Sequence, residues 1–260
     1  VRLIQITDCH LGPLSDPSLL GLNTDQSLAD VMELIAKEQS TYDAVVCTGD
    51  VASDAHTECY GRFVETIRRY TGVPLGWLPG NHDSASTMAQ YEGDDVPESR
   101  VMMVGEWMLV LLDSAVPGFV HGHLAQSELE FLDQTLASNS HRPTMIMLHH
   151  QPVPVGSRWI DEYILNNADA FFKVVDAHSQ VKAISWGHVH QFYQGERNGV
   201  QLFATPATCI QFEPGSQDFA VDHAMPGYRW FELHSDGTLD TGVSRVTDRE
   251  YQIDYRSAGY

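Results

Sequence analysis

Leu3-Ile4-Gln5-Ile6-Thr7-Asp8-Cys9-His10 joins a short apolar run to a carboxylate and an imidazole, and the same pairing recurs down the chain. Residues 3–7 read as a strand. So do residues 44–48, followed by Gly49-Asp50; residues 75–78, followed by Pro79-Gly80-Asn81-His82-Asp83; and residues 144–148, followed by His149-His150. Residues 181–185 run into Trp186-Gly187-His188-Val189-His190, and residues 108–112 and 201–204 complete the set. Runs of this length, rich in β-branched residues and bounded by Gly, Pro or Asp, are what buried strands look like.

Helical patterns fill the intervals. Leu28, Val31, Leu34 and Ile35 share one helical face, with Asn23, Thr24 or Asp25 placed to cap its start. Residues 56–70, 126–136 and 167–178 give three more helices. Strand–helix alternation predicts an α/β layer architecture, in which ligands gather where strands end and loops begin. Residues 211–228 are loop-like, and 229–234 and 242–247 flank an Asp236-Gly237 turn signal, so a covering loop and terminal hairpin are expected at about 205–250. No repeat or linker divides the chain, and residues 1–260 are expected to form a single domain.

Composition bounds the partners. Hydrophobic residues make up 43% of the chain, enough to bury a sizeable core. The formal charge of -20 repels a polyanion, so nucleic acid is not an expected partner. A small phosphate escapes that objection if cations sit in the site, because a bound metal is the largest local charge. The 4 cysteines occur singly, without a CxxC pair, which fits a reducing compartment. With no signal-like start and no apolar stretch of membrane-spanning length, a soluble cytoplasmic protein is expected, away from the membrane. Exposed segments are compatible with a homodimer without indicating a face.

Imidazole, carboxylate and amide oxygen together suit borderline and hard cations. At a strand end residues i and i+2 point to the same side, so Asp8 with His10, and His188 with His190, can each converge. Asp50 is the candidate for a carboxylate shared by two ions, which would hold them roughly 3.5–4 Å apart.

The ordered set Asp8-x-His10, Gly49-Asp50, Gly80-Asn81-His82-Asp83, His149 and Gly187-His188-x-His190 resembles the calcineurin-like metallophosphoesterase superfamily. The resemblance implies a four-layer α/β/β/α sandwich of two mixed β-sheets flanked by helices. It implies that Asp8, His10, Asp50 and His190 hold one metal, that Asp50, Asn81, His149 and His188 hold the other, and that His82 is an unligated general acid. A metal-bridging hydroxide would attack phosphorus. Asp83 either orients the His82 imidazole or is a solvated loop carboxylate, and His150 is expected to point away from the metals. Within the superfamily, Leu20-Gly21-Leu22-Asn23-Thr24-Asp25, Leu112-Asp113-Ser114-Ala115-Val116-Pro117-Gly118 and Thr205-Pro206-Ala207-Thr208-Cys209 are similar to the bacterial class III 3′,5′-cyclic AMP phosphodiesterases. Gln151 departs from the Pro that this likeness leads one to expect.

That likeness implies hydrolysis of cyclic AMP to 5′-AMP, with two divalent ions, Fe(II) or Mn(II) first and Zn or Co also suitable. Asn23, Asn81, His82 and His190 are the candidate substrate contacts. Asn23, His123 and Phe212 fit either a base pocket or packing roles, and His121 and His123 either a third metal site or a covering loop. Two other readings stay open: a broader phosphodiesterase acting on glycerophosphodiesters or nucleotide pyrophosphates, and a non-catalytic scaffold of the same fold.

Overall fold

A computed structural model describes residues 1–93, 96 and 99–259. Strand alternation sorts the apolar side chains into three layers. From the strand Arg2–Ile6, Leu3 points between the two sheets, beside Ala44 and Val46 and against Met145, Met147 and Phe203. Ile4 and Ile6 point the other way, onto Leu28, Val31, Phe63 and Ile67 of the helices Thr24–Glu38 and Thr57–Tyr70. The second sheet repeats the arrangement: Ile146, Leu148 and Ile184 pack on Leu132, Leu136 and Phe171, from the helices Gln126–Ser138 and Ala168–Val175. Helix, sheet, sheet and helix therefore alternate with three apolar interfaces, each fully buried Leu or Ile worth about 1.5–3 kcal/mol of burial. The expected four-layer α/β/β/α architecture is present.

The first sheet runs Leu239–Arg245, Gly227–Leu233, Arg2–Ile6, Ala44–Cys47 and Leu75–Trp77. The second runs Tyr193–Arg197, Val200–Ala204, Val181–Trp186, Thr144–Leu148, Trp107–Leu111 and Val101–Val104. In the second, a parallel core is flanked by an antiparallel strand at each edge; in the first, the antiparallel pair lies on one side and the parallel strand Leu75–Trp77 forms the other edge. The parallel strands all end at one edge, and every motif follows such an end. Short pairs, Ser18–Leu19 with Leu22–Asn23 and Gln211–Phe212 with Val221–Asp222, brace the loops there.

Besides the short pairs, two strands of the larger sheet lie outside the expected set. Val101–Val104 and Tyr193–Arg197 are edge strands, and the second, polar and half-exposed, offers no apolar run to read. Only the Asn198-Gly199 pair, both residues at positive φ in the tight turn between Arg197 and Val200, marks it in the sequence. The terminal hairpin is present, with strands slightly earlier than expected, and Gly227–Leu233 pairs directly with Arg2–Ile6 inside the first sheet. The last long helix stops at Val175, its final turn tightening through Ala177 N–H to Val174 O and His178 N–H to Val175 O. No helix among the described residues is long and apolar enough to cross a membrane.

Asn23 is the cap of the first helix, its side chain accepting Gln26 N–H at 2.9 Å. It lines a surface hollow with Asp25, Gln26, Arg62 and Glu65, none of them a metal-motif residue. That placement favours a capping role over substrate contact. Asn23→Ala should lower unfolding free energy by about 0.5–2 kcal/mol in denaturant melts while leaving KM unchanged; a raised KM with unchanged stability would restore the substrate role.

Candidate metal centre

Asp8, His10, Asp50, His188 and His190 share an unusual backbone state: all five lie in the left-handed region, with φ of 52°, 46°, 49°, 64° and 47°. For residues with a β-carbon this costs on the order of 1–3 kcal/mol each and persists only where the surroundings enforce it. The surroundings do so through the backbone. Asp8 N–H donates to Gly49 O, His10 N–H to Asp50 O, and Leu11 N–H to Val51 O, zipping the first motif to the second. The i, i+2 convergence expected from strand alternation is thus reached differently, because the chain coils at alternate residues instead of staying extended.

The side chains meet in a buried cluster. His10 Nε2 lies 3.2 Å from His190 Nε2, and His190 Nε2 lies 3.3 Å from Asp8 Oδ1. Asp50 Oδ2 is 3.2 Å from His149 Nε2 and 3.6 Å from His10 Nε2, so one carboxylate oxygen faces both halves of the cluster. Asn81 Oδ1 sits 3.1 Å from His149 Nε2, and the His188 ring lies 5.0 Å from that of His149. All seven expected ligands are brought to one place. Asn81 and His82 are only partly buried while the others are closed off, so the cluster opens to solvent on the Asn81–His82 side.

Backbone carbonyls fix which nitrogen faces the centre. His149 Nδ1–H donates to Thr48 O at 2.8 Å and His190 Nδ1–H to Ile210 O at 2.8 Å, an assignment that turns each Nε2 toward the cluster. Phe212, a base-pocket candidate by sequence, is fully buried and stacks on His190 at 4.1 Å, holding that ring's plane. The donor set fits divalent cations on its own evidence. His188 Nε2 is buried with no hydrogen-bond partner, and imidazole nitrogens and carboxylate oxygens lie within 4.8 Å of one another in overlapping groups of three.

Electrostatics point the same way. Burial pushes the Asp50 carboxyl up, but His149, His82 and His10 together outweigh it and hold it well below the usual carboxylate range. Burial presses His149 down, yet Asp50, Asp8 and the Thr48 carbonyl bring it to about 9. Burial drives His10 to about 3 and puts His188 well below its ordinary value, so both offer lone pairs at neutral pH. A cation held beside Asp50 would take the place of the His149 proton, as metal binding to imidazole requires.

His82 stands at the rim. Its N–H donates to Asp50 Oδ1 at 2.9 Å, and its Nδ1–H donates to Ser53 O at 2.7 Å. Asp83 does neither thing the sequence suggests: its carboxylate accepts the backbone N–H groups of Val51, Ala52 and Gly80, clamping the second motif to the third. Burial, with Asp50 beside it, raises that carboxyl to about 6 despite the three donors. His150 is turned against the His188 ring at 4.7 Å, but its two nitrogens are taken, Nε2–H donating to Val120 O and Nδ1 accepting from Ser114 Oγ. Burial and neighbouring His149 drive it to about 3, and it serves as a neutral wall. His121 packs on Phe119, and exposed His123 pairs with Asn166, so neither joins the cluster. The carbonyls of Thr48, Ser53 and Ile210 carry no sequence signal, since any residue supplies one.

The motif glycines are steric requirements. A β-carbon on Gly80 would overlap Asp50 Oδ1 and come within 2.5 Å of Asp50 N, and one on Gly187 would lie 2.6 Å from Asp8 Oδ2. Gly80→Ala should therefore displace the shared carboxylate and cost about 1–3 kcal/mol from overpacking. The expected result is fewer than two metals per chain together with a lowered melting temperature; full metal content would show that the loop yields instead.

The profile of the family described as Calcineurin-like phosphoesterase matches residues 1–192. A 3′,5′-cyclic adenosine monophosphate phosphodiesterase of Pseudomonas aeruginosa, CpdA, is 42% identical over 261 residues, covering 100% of this chain and 95% of that protein. The CpdA of Haemophilus influenzae is 41% identical with the same coverage. Among solved structures, a dimetal phosphatase from Danio rerio superposes with a TM-score of 0.65 at 16% identity, covering 95% of this chain and 99% of that one, a likeness of fold.

Proposed function

The chain belongs to the calcineurin-like phosphoesterase family, and from that premise we propose that it hydrolyses 3′,5′-cyclic AMP to 5′-AMP at a pair of divalent cations. The observation that carries the substrate is whole-chain likeness at 42% identity to a cyclic AMP phosphodiesterase, joined to a cluster with no ligand missing. The full set also argues against the scaffold reading, which would be expected to have lost a ligand or the acid.

In this reading Asp8, His10, Asp50 and His190 hold one ion, and Asp50, Asn81, His149 and His188 the other. The ions, when bound, supply positive charge against the phosphate oxygens and acidify a coordinated water. The protein's own groups do the rest. Asp50 keeps the two halves in register through Oδ2 while its Oδ1 accepts His82 N–H, fixing the His82 backbone. With Nδ1–H held by Ser53 O, His82 passes its proton through Nε2 to the departing 3′ oxygen. The partly exposed Asn81 and His82 lie where an ester enters, and the buried wall of His150 and Phe212 keeps water from the far side.

Nitrogen and oxygen ligands suit Fe(II) and Mn(II), with Zn and Co as alternatives. The charge of -20 makes a small cyclic nucleotide a better substrate than a nucleic acid. The four cysteines are free and buried, which fits residence in the cytoplasm, and we take residues 1–260 as one domain.

The deciding experiment is turnover by purified protein with Mn(II) or Fe(II), and after chelation, on cyclic AMP, glycerophosphodiesters, dinucleotide phosphates and an aryl phosphodiester. Metal-dependent conversion of cyclic AMP to 5′-AMP should dominate. Cleavage of the aryl ester without cyclic AMP would leave the two-metal chemistry and remove the substrate; bound metal without turnover on any ester would favour the scaffold.

A further inference from the structure

The ligands come from two different sheets. Asp8, His10, Asp50 and Asn81 follow strands of the first sheet, and His149, His188 and His190 follow strands of the second. The separation between the two halves of the metal centre is therefore set by how the sheets register across their shared interface. That interface is apolar at the level of Leu3, Val46, Met147 and Phe203. Apolar packing is non-directional and tolerates sliding and repacking. Something more specific is needed to hold the halves in place.

One residue farther along each alternation, directly below the ligands, the interface changes character. Gln5, Thr48, Ser185 and Thr205 are all fully buried there. The Gln5 amide fills its hydrogen-bonding capacity: Nε2 donates to Thr48 Oγ1 at 2.9 Å and to Trp186 O at 3.3 Å, while Oε1 accepts from Ser185 Oγ at 2.6 Å and Thr205 Oγ1 at 2.7 Å. Trp186 O can only accept, so the amide cannot be flipped. Gln5 and Thr48 belong to the first sheet's side, and Ser185, Trp186 and Thr205 to the second's.

Two of the partners, and a neighbour of Gln5 on its own strand, lead straight to ligands. Thr48 carries the carbonyl that orients His149 and precedes Gly49-Asp50. Trp186 stands two residues before His188. Thr7, two residues after Gln5 on the same face, donates through Oγ1 to Asp8 Oδ2 at 2.7 Å.

We propose that Gln5 is a positioning residue whose four-bonded amide sets the register of the two sheets, and with it the spacing of the two half-sites. The inference rests on the two-metal reading above. A buried amide costs free energy unless all its bonds are made, and once they are made it accepts only one alignment of its neighbours. Leucine at this position would fill the space and keep the fold while leaving the register to apolar contact.

The test compares wild type, Gln5→Leu and, as a packing control in the same interface, Met147→Leu. The readouts are Mn(II) affinity, the exchange-coupled EPR signal of a Mn(II) pair, kcat and KM, and melting temperature. Gln5→Leu should bind its second Mn(II) about tenfold to a hundredfold more weakly. It should replace the coupled signal by that of isolated ions and lose kcat with little change in KM, while Met147→Leu alters only the melting temperature. Unchanged affinity and an intact coupled signal in Gln5→Leu would overturn the proposal. Should that variant not fold, Ser185→Ala with Thr205→Val removes both donors to Oε1 and is read by the same two outcomes. Wild-type protein unable to hold two Mn(II) ions would instead remove the two-metal reading, and this inference with it.

Discussion

Asp50→Asn protein should be purified with fewer than two metals per chain and should be nearly inactive. The substitution keeps the shape of the side chain and an acceptor for His82 N–H, but removes the negative charge that faces His149 and His10 from a single oxygen. In the proposed ligand set every other residue serves one ion, and Asp50 serves both. Leaving buried charge uncompensated costs about 3–5 kcal/mol, which corresponds to roughly two to four powers of ten in affinity. Metal content after dialysis and turnover under saturating Mn(II) measure the two effects separately. Two tightly held ions in this variant would show that the carboxylate does not bridge.

His82→Ala should separate chemistry from binding in the opposite sense. The imidazole meets the cluster at its ring neighbour His10, 4.9 Å away, and is bonded at Nδ1 to a loop carbonyl, while the contact to Asp50 Oδ1 is made by the backbone N–H that alanine keeps. Its loss leaves the seven proposed ligands in place, so metal content should stay at the wild-type level while kcat on cyclic AMP falls about 10²–10⁴-fold. An aryl diester, whose leaving group departs without a proton, should show a much smaller loss. Equal losses on both esters would mean that His82 acts by another route.

The cluster was legible before the fold because its information is carried by side-chain type and order. Asp8, His10, Asp50, Asn81, His149, His188 and His190 sit after apolar runs, and the runs sit where the structure has strands. What the sequence withheld is of another kind. The left-handed coiling of Asp8 and His10 leaves no compositional trace, since glycine is the usual marker for it and neither residue is glycine. The anchoring carbonyls of Thr48, Ser53 and Ile210 are blind to residue identity. Asp83 looked like a partner for the imidazole beside it because neighbours in sequence are assumed to touch, whereas its oxygens reach back to backbone at Val51 and Ala52. The strand Tyr193–Arg197 escaped detection because an edge strand with polar residues need not be hydrophobic.

The central strand Arg2–Ile6 pairs on one side with Gly227–Leu233, and Arg2 bonds Glu232 across 230 positions of chain. On the ribosome, at about 5–20 residues per second, Arg2–Ile6 gains its parallel neighbour Ala44–Cys47 early but waits for Gly227–Leu233 until long after, and the His188–His190 segment emerges late as well. Until residues 227–245 are made, one sheet should therefore lack its antiparallel half, and the ligand set should lack its finished frame. Fragments ending before residue 227 should then be degraded or bound by chaperones instead of accumulating as a half-built enzyme.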